Sequence, residues 1–343
     1  MSTIDPIPLT GSASTPAQYL AWLRAHARDD KTPEADDDAP FLSVLMRTQG
    51  KRDEMLKEAL LSLEAQTDNN FEIVLIIHRA TDADKERTLA LLDELSPSVK
   101  SRLRYRLLDT GTRSAPLNLA LSIARGRYVA MLDDDDVVFD HWVENFRRGA
   151  EEHDGMAIRA YGISHFWTLS TDASGKAQLR SSAAPQPAYC NPFDLQKHFE
   201  ENYTPISCMA IPRGCHTVFG ITFDETLTTA EDWDFLMQCV LICGVYDTKE
   251  ITFLYRLWQN TESSHTLHQE KEWLDNRAYI MKKISAIPYV TTNQGSFPPP
   301  EDSNTAPVKK PSFGDRLKKL YHIHGPLRFP IVVIQKIFYR LFR

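Results

Sequence analysis

No stretch of this chain reaches the roughly 18 consecutive apolar positions that a membrane-spanning helix needs. Residues Met1 to Asp38 are polar and contain no apolar core, so no secretory leader is expected there. The five cysteines, Cys190, Cys208, Cys215, Cys239 and Cys243, are odd in number and include no CxxC pair. That argues against a paired zinc site or a disulfide framework and fits a reducing cytoplasm. Cys239 and Cys243 stand four apart in a helical pattern and are expected as core thiols. Net positive charge is missing as well: the chain carries −7, which argues against nucleic acid as the main partner. The segment Arg47 to Arg52 holds a single glycine, Gly50, so no glycine-rich phosphate loop follows the first expected strand. No internal repeat is visible.

The remaining composition, 42% hydrophobic and 25% charged over 343 residues, is that of a globular protein large enough for one big domain with appendages, or for two. Its charge is uneven. From Pro307 onward nine Lys/Arg stand against one acid, Asp315, so a +8 tail follows a −15 body, together giving −7. A tail of opposite sign to its body is expected to have a job of its own.

Residues 1–39 read as an extension, with a short helix at Pro16 to Ala27 capped by Thr15 and an acidic linker after it. An alternation follows. Strands are expected at Phe41–Met46, Phe71–Ile77, Leu103–Leu108 and Tyr128–Leu132, and helices at Arg52–Gln66, Asp82–Leu95 and Ala115–Ala124. This rhythm predicts an α/β fold with a parallel sheet covered on both faces, whose ligands bind beyond the carboxyl ends of the strands. After Glu152 the rhythm changes. Ile158–Leu169 reads as a long strand, Ser170–Pro187 as a surface loop, Cys208–Pro212 as a strand, Glu231–Cys243 as a helix and Ile251–Arg256 as a strand.

Four consecutive aspartates, Asp133 to Asp136, follow the apolar strand Tyr128–Leu132. Like charges at a buried strand end raise one another's pKa unless a cation neutralises them. Aspartate oxygens suit a hard ion such as Mg²⁺ or Mn²⁺, which in turn suits phosphate oxygens. The plainer reading is a solvated acidic loop. About a hundred residues on, Thr229-Ala230-Glu231-Asp232-Trp233-Asp234 opens a helix. Thr229 is expected to cap it, with the acids complementing its dipole. Alternatively, Asp232 is a general base, with Glu231 and Trp233 beside it on the acceptor side.

The ordered set resembles the family 2 glycosyltransferases, whose fold is called GT-A. The resemblance spans roughly Phe41 to Arg256. Leu42-Ser43-Val44-Leu45 with Thr48, the helix Ala59 to Thr67, Phe71-Glu72-Ile73-Val74, Asn118 to Leu121 and Ala124 to Ala130 are similar to the family's pattern. Leu132-Asp133-Asp134-Asp135-Asp136 looks like its D-x-D region and Glu231-Asp232 like its E-D motif. Carried over residue by residue, the resemblance implies that Asp133, Asp134 and Thr48 lie at the sugar-nucleotide. Asp135, with Asp133 and Asp136, would hold Mn²⁺ or Mg²⁺. Asp232 would be the base of a single inverting displacement. The implied partners are a nucleotide-sugar donor and a glycan or lipid-linked acceptor.

The chain departs from the family in two places. Where the family has an aspartate pair that reads the nucleobase, this sequence has Ile77-His78, so His78 either replaces that contact or is a strand-end histidine. The arginine usual before the asparagine matched by Asn118 is absent, and Arg113 is the nearest phosphate-binding candidate. His265 and His268 could approach the diphosphate or sit on a polar surface helix.

The implied organisation is an extension over 1–39 and a GT-A domain over 40–290, with a nucleotide-sugar half to about 150 and an acceptor half beyond it. A proline-rich linker over 291–311 and a basic amphipathic tail over 312–343 complete the chain. From Pro330, apolar Ile331, Ile334, Ile337, Phe338 and Leu341 alternate with Lys336, Arg340 and Arg343. At about 1.5 Å per residue this helix reaches about 21 Å, too short to span a bilayer core. The expectation is a tail lying on an anionic membrane, which places the protein on the cytoplasmic face; the alternative is a helix docked on the protein itself. Two rival functions share the features of the body. One is a sugar-phosphate nucleotidyltransferase, disfavoured by the single glycine. The other is a non-catalytic membrane-recruited binding protein, favoured by Ile77-His78.

Overall fold

The structure is a computed structural model describing residues 16–28, 39–172, 177–181, 183–258 and 269–287. The basic tail, the proline-rich linker, Thr15, His265 and His268 lie outside the described residues.

Strands β1 (Leu42–Thr48), β2 (Phe71–His78), β3 (Leu103–Leu108) and β4 (Tyr128–Met131) pair in parallel in the order β3-β2-β1-β4. Helices α2 (Asp53–Glu64), α3 (Asp82–Asp93), α4 (Pro97–Arg102) and α5 (Ala115–Ile123) fall between them. Every residue of β2 is buried, as expected of a central parallel strand with both faces covered. Alternate side chains feed two separate cores. Val44, Met46, Ile73, Leu75 and Ala130 pack with Leu56, Leu60 and Leu63 of α2. Leu45, Val74, Ile76, Val129 and Met131 pack with Leu117, Ala120 and Leu121 of α5.

The sheet is not parallel throughout. Beyond β4 it continues through β9 (Met209–Pro212), β6 (Ala157–Thr171), β10 (Val245–Trp258) and β5 (Val137–Val138). The β4–β9, β9–β6 and β10–β5 pairs are antiparallel, and β6–β10 is parallel. The expected surface loop at Ser170–Pro187 is in part strand. β7 (Ala177–Ser181) and β8 (Gln186–Tyr189) both pair antiparallel with β6. A polar, exposed edge carries no apolar alternation, which is why its pairing was hidden in the sequence.

Helix α6 (Trp142–Glu152) follows β5 and buries Trp142, Val143 and Phe146. Short helices α7 (Leu195–Glu200) and α8 (Gly214–Thr217) precede α9 (Glu231–Cys243). A last helix, α10 (Glu270–Ser285), follows β10 in the chain. Its Ile280 and Ile284 are buried in the same core as α9. Helix α1 (Pro16–Ala27), expected within an extension, packs on the body. Leu23 and Ala27 are buried, and the Arg24 guanidinium donates to Cys243 O at 3.2 Å. A methyl on Gly214 would come within 2.2 Å of Ala27 O, so this close approach of α1 depends on the glycine.

Candidate active site

The site is built where β1, β4 and α9 end or begin. β4 stops at Met131, and Leu132 still donates its N–H to Leu45 O at 3.0 Å. The four aspartates then turn, with Asp136 N donating to Asp133 O at 3.3 Å, before β5 begins. The chain after β1 turns at Gly50, whose φ of +68° and approach to Asp84 O would leave a Cβ 2.9 Å away. That turn sets Thr48 and Arg52 on either side of the acidic run.

Each aspartate has a partner. Thr48 Oγ1 donates to Asp134 Oδ2 at 2.6 Å. Arg52 Nη1 donates to Asp135 Oδ2 at 2.5 Å and lies 3.9 Å from Asp134 Oδ1. Trp258 Nε1 also donates to Asp135 Oδ2, at 2.9 Å. Arg256 N donates to Asp136 Oδ1 at 2.8 Å. Asp133 is the outermost, with a side chain 43% exposed and Arg47 Nε 3.8 Å away. Burial and the neighbouring Asp135 push Asp134 up to about 7, despite Arg52 and Thr48. Burial, together with Asp133, outweighs Arg52 and raises Asp135. Burial and its two acidic neighbours raise Asp136 well above the usual carboxylate range. The cluster is under-neutralised by its arginines and would welcome further positive charge.

A second cluster faces the first. Glu231, at the start of α9, is 3% exposed and accepts from Arg47 Nη2 at 3.1 Å and from Arg113 Nε at 2.8 Å. Burial opposes its charge, but the two guanidinium groups win and lower its pKa. Asp232 beside it has no such partner. Burial and the Glu231 charge push it up to about 6, while its Oδ1 accepts the Trp233 N–H at 2.8 Å. A carboxylate with a raised pKa next to a clamped carboxylate is the pattern of an acid–base group poised near neutrality.

Thr229 does not cap α9. The cap position is Ala230, whose φ of +59° is left-handed for a residue with a Cβ, and no side chain caps it. Thr229 is buried and held from α10: Asn276 Nδ2 donates to Thr229 Oγ1 at 2.8 Å and to Thr228 Oγ1 at 3.0 Å. On the other side Arg113 Nη1 donates to Thr228 O at 3.2 Å. Further along α10, Lys283 Nζ reaches Asp234 Oδ2 at 2.8 Å and Asp224 Oδ2 at 3.0 Å. Strained backbone at a site persists where its surroundings over-determine it. Asn276→Ala is therefore expected to loosen the start of α9. Stability should fall by about 1 kcal/mol for the lost hydrogen bonds. Backbone amide exchange at residues 229–232 should accelerate more than elsewhere in α9.

The structure brings together Thr48, Arg113, Asp133, Asp134, Asp135, Asp136, Glu231 and Asp232. It turns Asn118 and Trp233 away from this group, and His78 borders it, near the Arg47 charge. Asn118 donates to Phe223 O at 3.0 Å and accepts from Phe223 N at 2.9 Å, so it is a clamp between α5 and the 223–225 segment. Trp233 is 3% exposed, with Nε1 donating to His198 O at 3.0 Å, and is a core residue closed to any acceptor. Glu231 likewise faces its arginines rather than an acceptor. His78 is a buried strand-end histidine whose Nε2 lies 3.1 Å from Thr110 O; burial lowers its pKa.

Sequence reasoning missed Arg47, Arg52, Tyr255 and Trp258. The arginines sat in a segment read only for its lack of glycine. Burial and the charges of Asp136, Asp133 and Asp232 raise the Tyr255 hydroxyl, and its ring meets Tyr189 at 5.8 Å. Nothing in a local pattern links residues 135 and 258.

Among the described residues no group of three His, Cys, Asp or Glu is arranged to hold a metal alone. A Mg²⁺-type ion shared with substrate phosphates needs only one or two carboxylates. Asp133 and Asp135 supply hard oxygen donors in an under-neutralised cluster, so the donor set fits such an ion. Among the described residues no helix is long and apolar enough to cross a membrane.

Comparison with known proteins bears on the fold. Residues 43–191 match the family model for glycosyl transferase family 2. An uncharacterized glycosyltransferase of Methanocaldococcus jannaschii is 23% identical over 221 residues, covering 64% of this chain and 72% of that protein. Staphylococcus aureus poly(ribitol-phosphate) beta-N-acetylglucosaminyltransferase TarP is 28% identical over 125 residues, covering 36% and 37%. The structure of S. aureus TarS 1-349 in complex with UDP-GlcNAc superposes with a TM-score of 0.55 at 19% identity, covering 71% of this chain and 65% of that one. This chain thus spans just under two thirds of that TarS chain. Residues 43–191 thus match the family 2 glycosyltransferase model, and the parallel β3-β2-β1-β4 sheet with the TarS superposition shows a GT-A fold.

Proposed function

We propose that the protein transfers a sugar from a nucleotide-sugar donor to a hydroxyl of a glycan or lipid-linked acceptor, inverting the anomeric carbon, with Asp232 as general base. The observation that carries this reading is the pair at the start of α9. Glu231 is fixed as a carboxylate by Arg47 and Arg113, and Asp232 beside it has its pKa raised to about 6. At neutral pH Asp232 is mostly ionised, yet basic enough to take a proton from an attacking hydroxyl.

The donor diphosphate belongs at the carboxyl ends of β1 and β4, where Thr48, Asp133 and Asp134 line the turn. Arg47, Arg52 and Arg113 orient its oxygens and balance the acidic cluster. Asp133 and Asp135 would hold Mn²⁺ or Mg²⁺, which when bound supplies Lewis-acid stabilisation to the departing nucleoside diphosphate. As the anomeric carbon gains oxocarbenium character, Asp232 removes the hydroxyl proton on the opposite face. TarS was captured with UDP-GlcNAc, which makes a uridine nucleotide the first donor to test here. The basic residues after Pro307 support a role at an anionic membrane surface.

Thermal unfolding with a panel of nucleoside diphosphates, with and without Mn²⁺, tests this reading. A ligand bound only by the folded state raises the midpoint by mass action. The expected result is a Mn²⁺-dependent rise with one nucleotide, lost in Asp135→Ala. The absence of a rise with any nucleotide would return the protein to the binding-protein class.

A further inference from the structure

Where β6 and β10 run side by side, the register pairs His165 with Arg256 and Trp167 with Trp258. Side chains two apart in a strand share a face, so these four residues form one continuous patch. The patch is joined to the acidic run at one end. Trp258 Nε1 donates to Asp135 Oδ2 at 2.9 Å, and Arg256 N donates to Asp136 Oδ1 at 2.8 Å. The Arg256 guanidinium lies 4.8 Å from the centroid of the Trp167 ring, and His165 meets that ring edge-on at 5.2 Å. Trp167 stays partly exposed. Its Nε1 is closed to water and has no hydrogen-bond partner. The patch accounts for none of the donor contacts assigned above.

We infer that this patch is a platform for a pyranose ring of the acceptor, with Trp167 as its stacking surface. The inference rests on the glycosyltransferase reading and names the acceptor class that reading left open. Position is the first argument. In the sheet order, β6 and β10 lie on the opposite side of β4 from β1, β2 and β3, so the patch starts at the donor's acidic run and extends away from the nucleotide half. Chemistry is the second. An indole offers a broad, rigid, electron-rich face to the apolar C–H face of a pyranose, at little cost in conformational entropy. The Arg256 guanidinium and His165 against the ring hold the indole in place, so it stands as a preformed aromatic wall of the kind small-molecule sites use. An open-chain polyol has hydroxyls but no ring face to stack.

The test is a tryptophan-fluorescence titration of the full chain with cellobiose, chitobiose and ribitol, in wild type, Trp167→Ala and Trp167→Phe. Thermal unfolding with UDP and Mn²⁺ is measured in parallel on each. The expected result is disaccharide binding in wild type and no response to ribitol. Affinity should drop about tenfold or more in Trp167→Ala and be largely kept in Trp167→Phe, where a ring remains. An unchanged UDP response in Trp167→Ala would show that the fold and donor site are intact. Equal disaccharide binding in Trp167→Ala, equal binding of ribitol, or no disaccharide binding in a wild type that responds to UDP would each overturn the platform. A wild type that ignores UDP but binds disaccharide through Trp167 would sink the donor reading and leave the platform standing.

Discussion

Asp232→Asn is expected to abolish sugar transfer while making the protein more stable. The two effects have one cause. Burial and the adjacent Glu231 charge raise the Asp232 pKa to about 6, so the fold disfavours its ionised form. That same ionised form is the one able to accept a proton. Removing a positioned general base costs about 10²- to 10⁴-fold in rate. Asparagine carries no charge at any pH, so it also removes the penalty of keeping a buried carboxylate ionised. The folded pKa lies above the unfolded value near 3.8, so Asp232 stabilises the fold fully below pH 4 and loses that contribution as pH rises through 6. The stability gain of the asparagine variant should therefore be absent in acid and reach at most about 3 kcal/mol above pH 7. Wild-type transfer should decline as pH falls through about 6, where the base becomes protonated. Chemical denaturation at pH 4 and pH 7.5, paired with a pH–rate profile, checks both. A variant that keeps transfer would remove Asp232 from the mechanism, and an acid limb far from pH 6 would assign the proton to another group.

Asp247→Ala is expected to give a large loss of stability, centred on β6, β10 and the chain between 191 and 204. Arg159 is a fully buried guanidinium on β6. Its Nη1 donates to Asp247 Oδ1 at 2.7 Å and to Asn191 O at 2.9 Å, and its Nε to Thr204 Oγ1 at 3.1 Å. The other Asp247 oxygen accepts the Phe193 N–H at 2.6 Å. One ion pair thus ties β6, β10 and the chain between 191 and 204 together. Nearby His198 offers no substitute charge, because burial and Arg159 push its pKa down to about 3 and keep it neutral. Deleting Asp247 strands a positive charge that water cannot reach, which costs about 3 to 5 kcal/mol. Domains are typically stable by only about 5 to 15 kcal/mol, so this is a large fraction. The denaturant midpoint should fall accordingly. Asp247→Asn should lose less, since it keeps a neutral acceptor for Arg159. Replacing both members, Arg159→Met with Asp247→Leu, should recover most of the loss, because no buried charge remains. If the double variant is no more stable than Asp247→Ala, the cost lies in packing rather than in the stranded charge.

The sequence by itself determined most of the parallel β1–β4 part of the sheet. β1, β2, β4, α2 and α5 were legible because burial writes an apolar run or a period near 3.6 into the chain, whereas the six-residue α4, which buries only Val99, left no such trace. The acidic run and the Glu231-Asp232 pair were legible because each is contiguous. Tertiary structure alone decided what those carboxylates do. Glu231 became a clamp because Arg47 and Arg113, distant in sequence, converge on it, and that left Asp232 as the carboxylate with a raised pKa. Asn118 and Trp233, which looked like site residues, turned inward because the 223–225 segment and His198 meet them there. The start of α9 carries no cap of its own, and its support comes from Asn276, 47 residues beyond Thr229. Trp258 reaches Asp135 across 123 residues of chain. Such contacts depend on side-chain direction and on strand register between distant segments, and neither leaves a periodic trace in a single sequence.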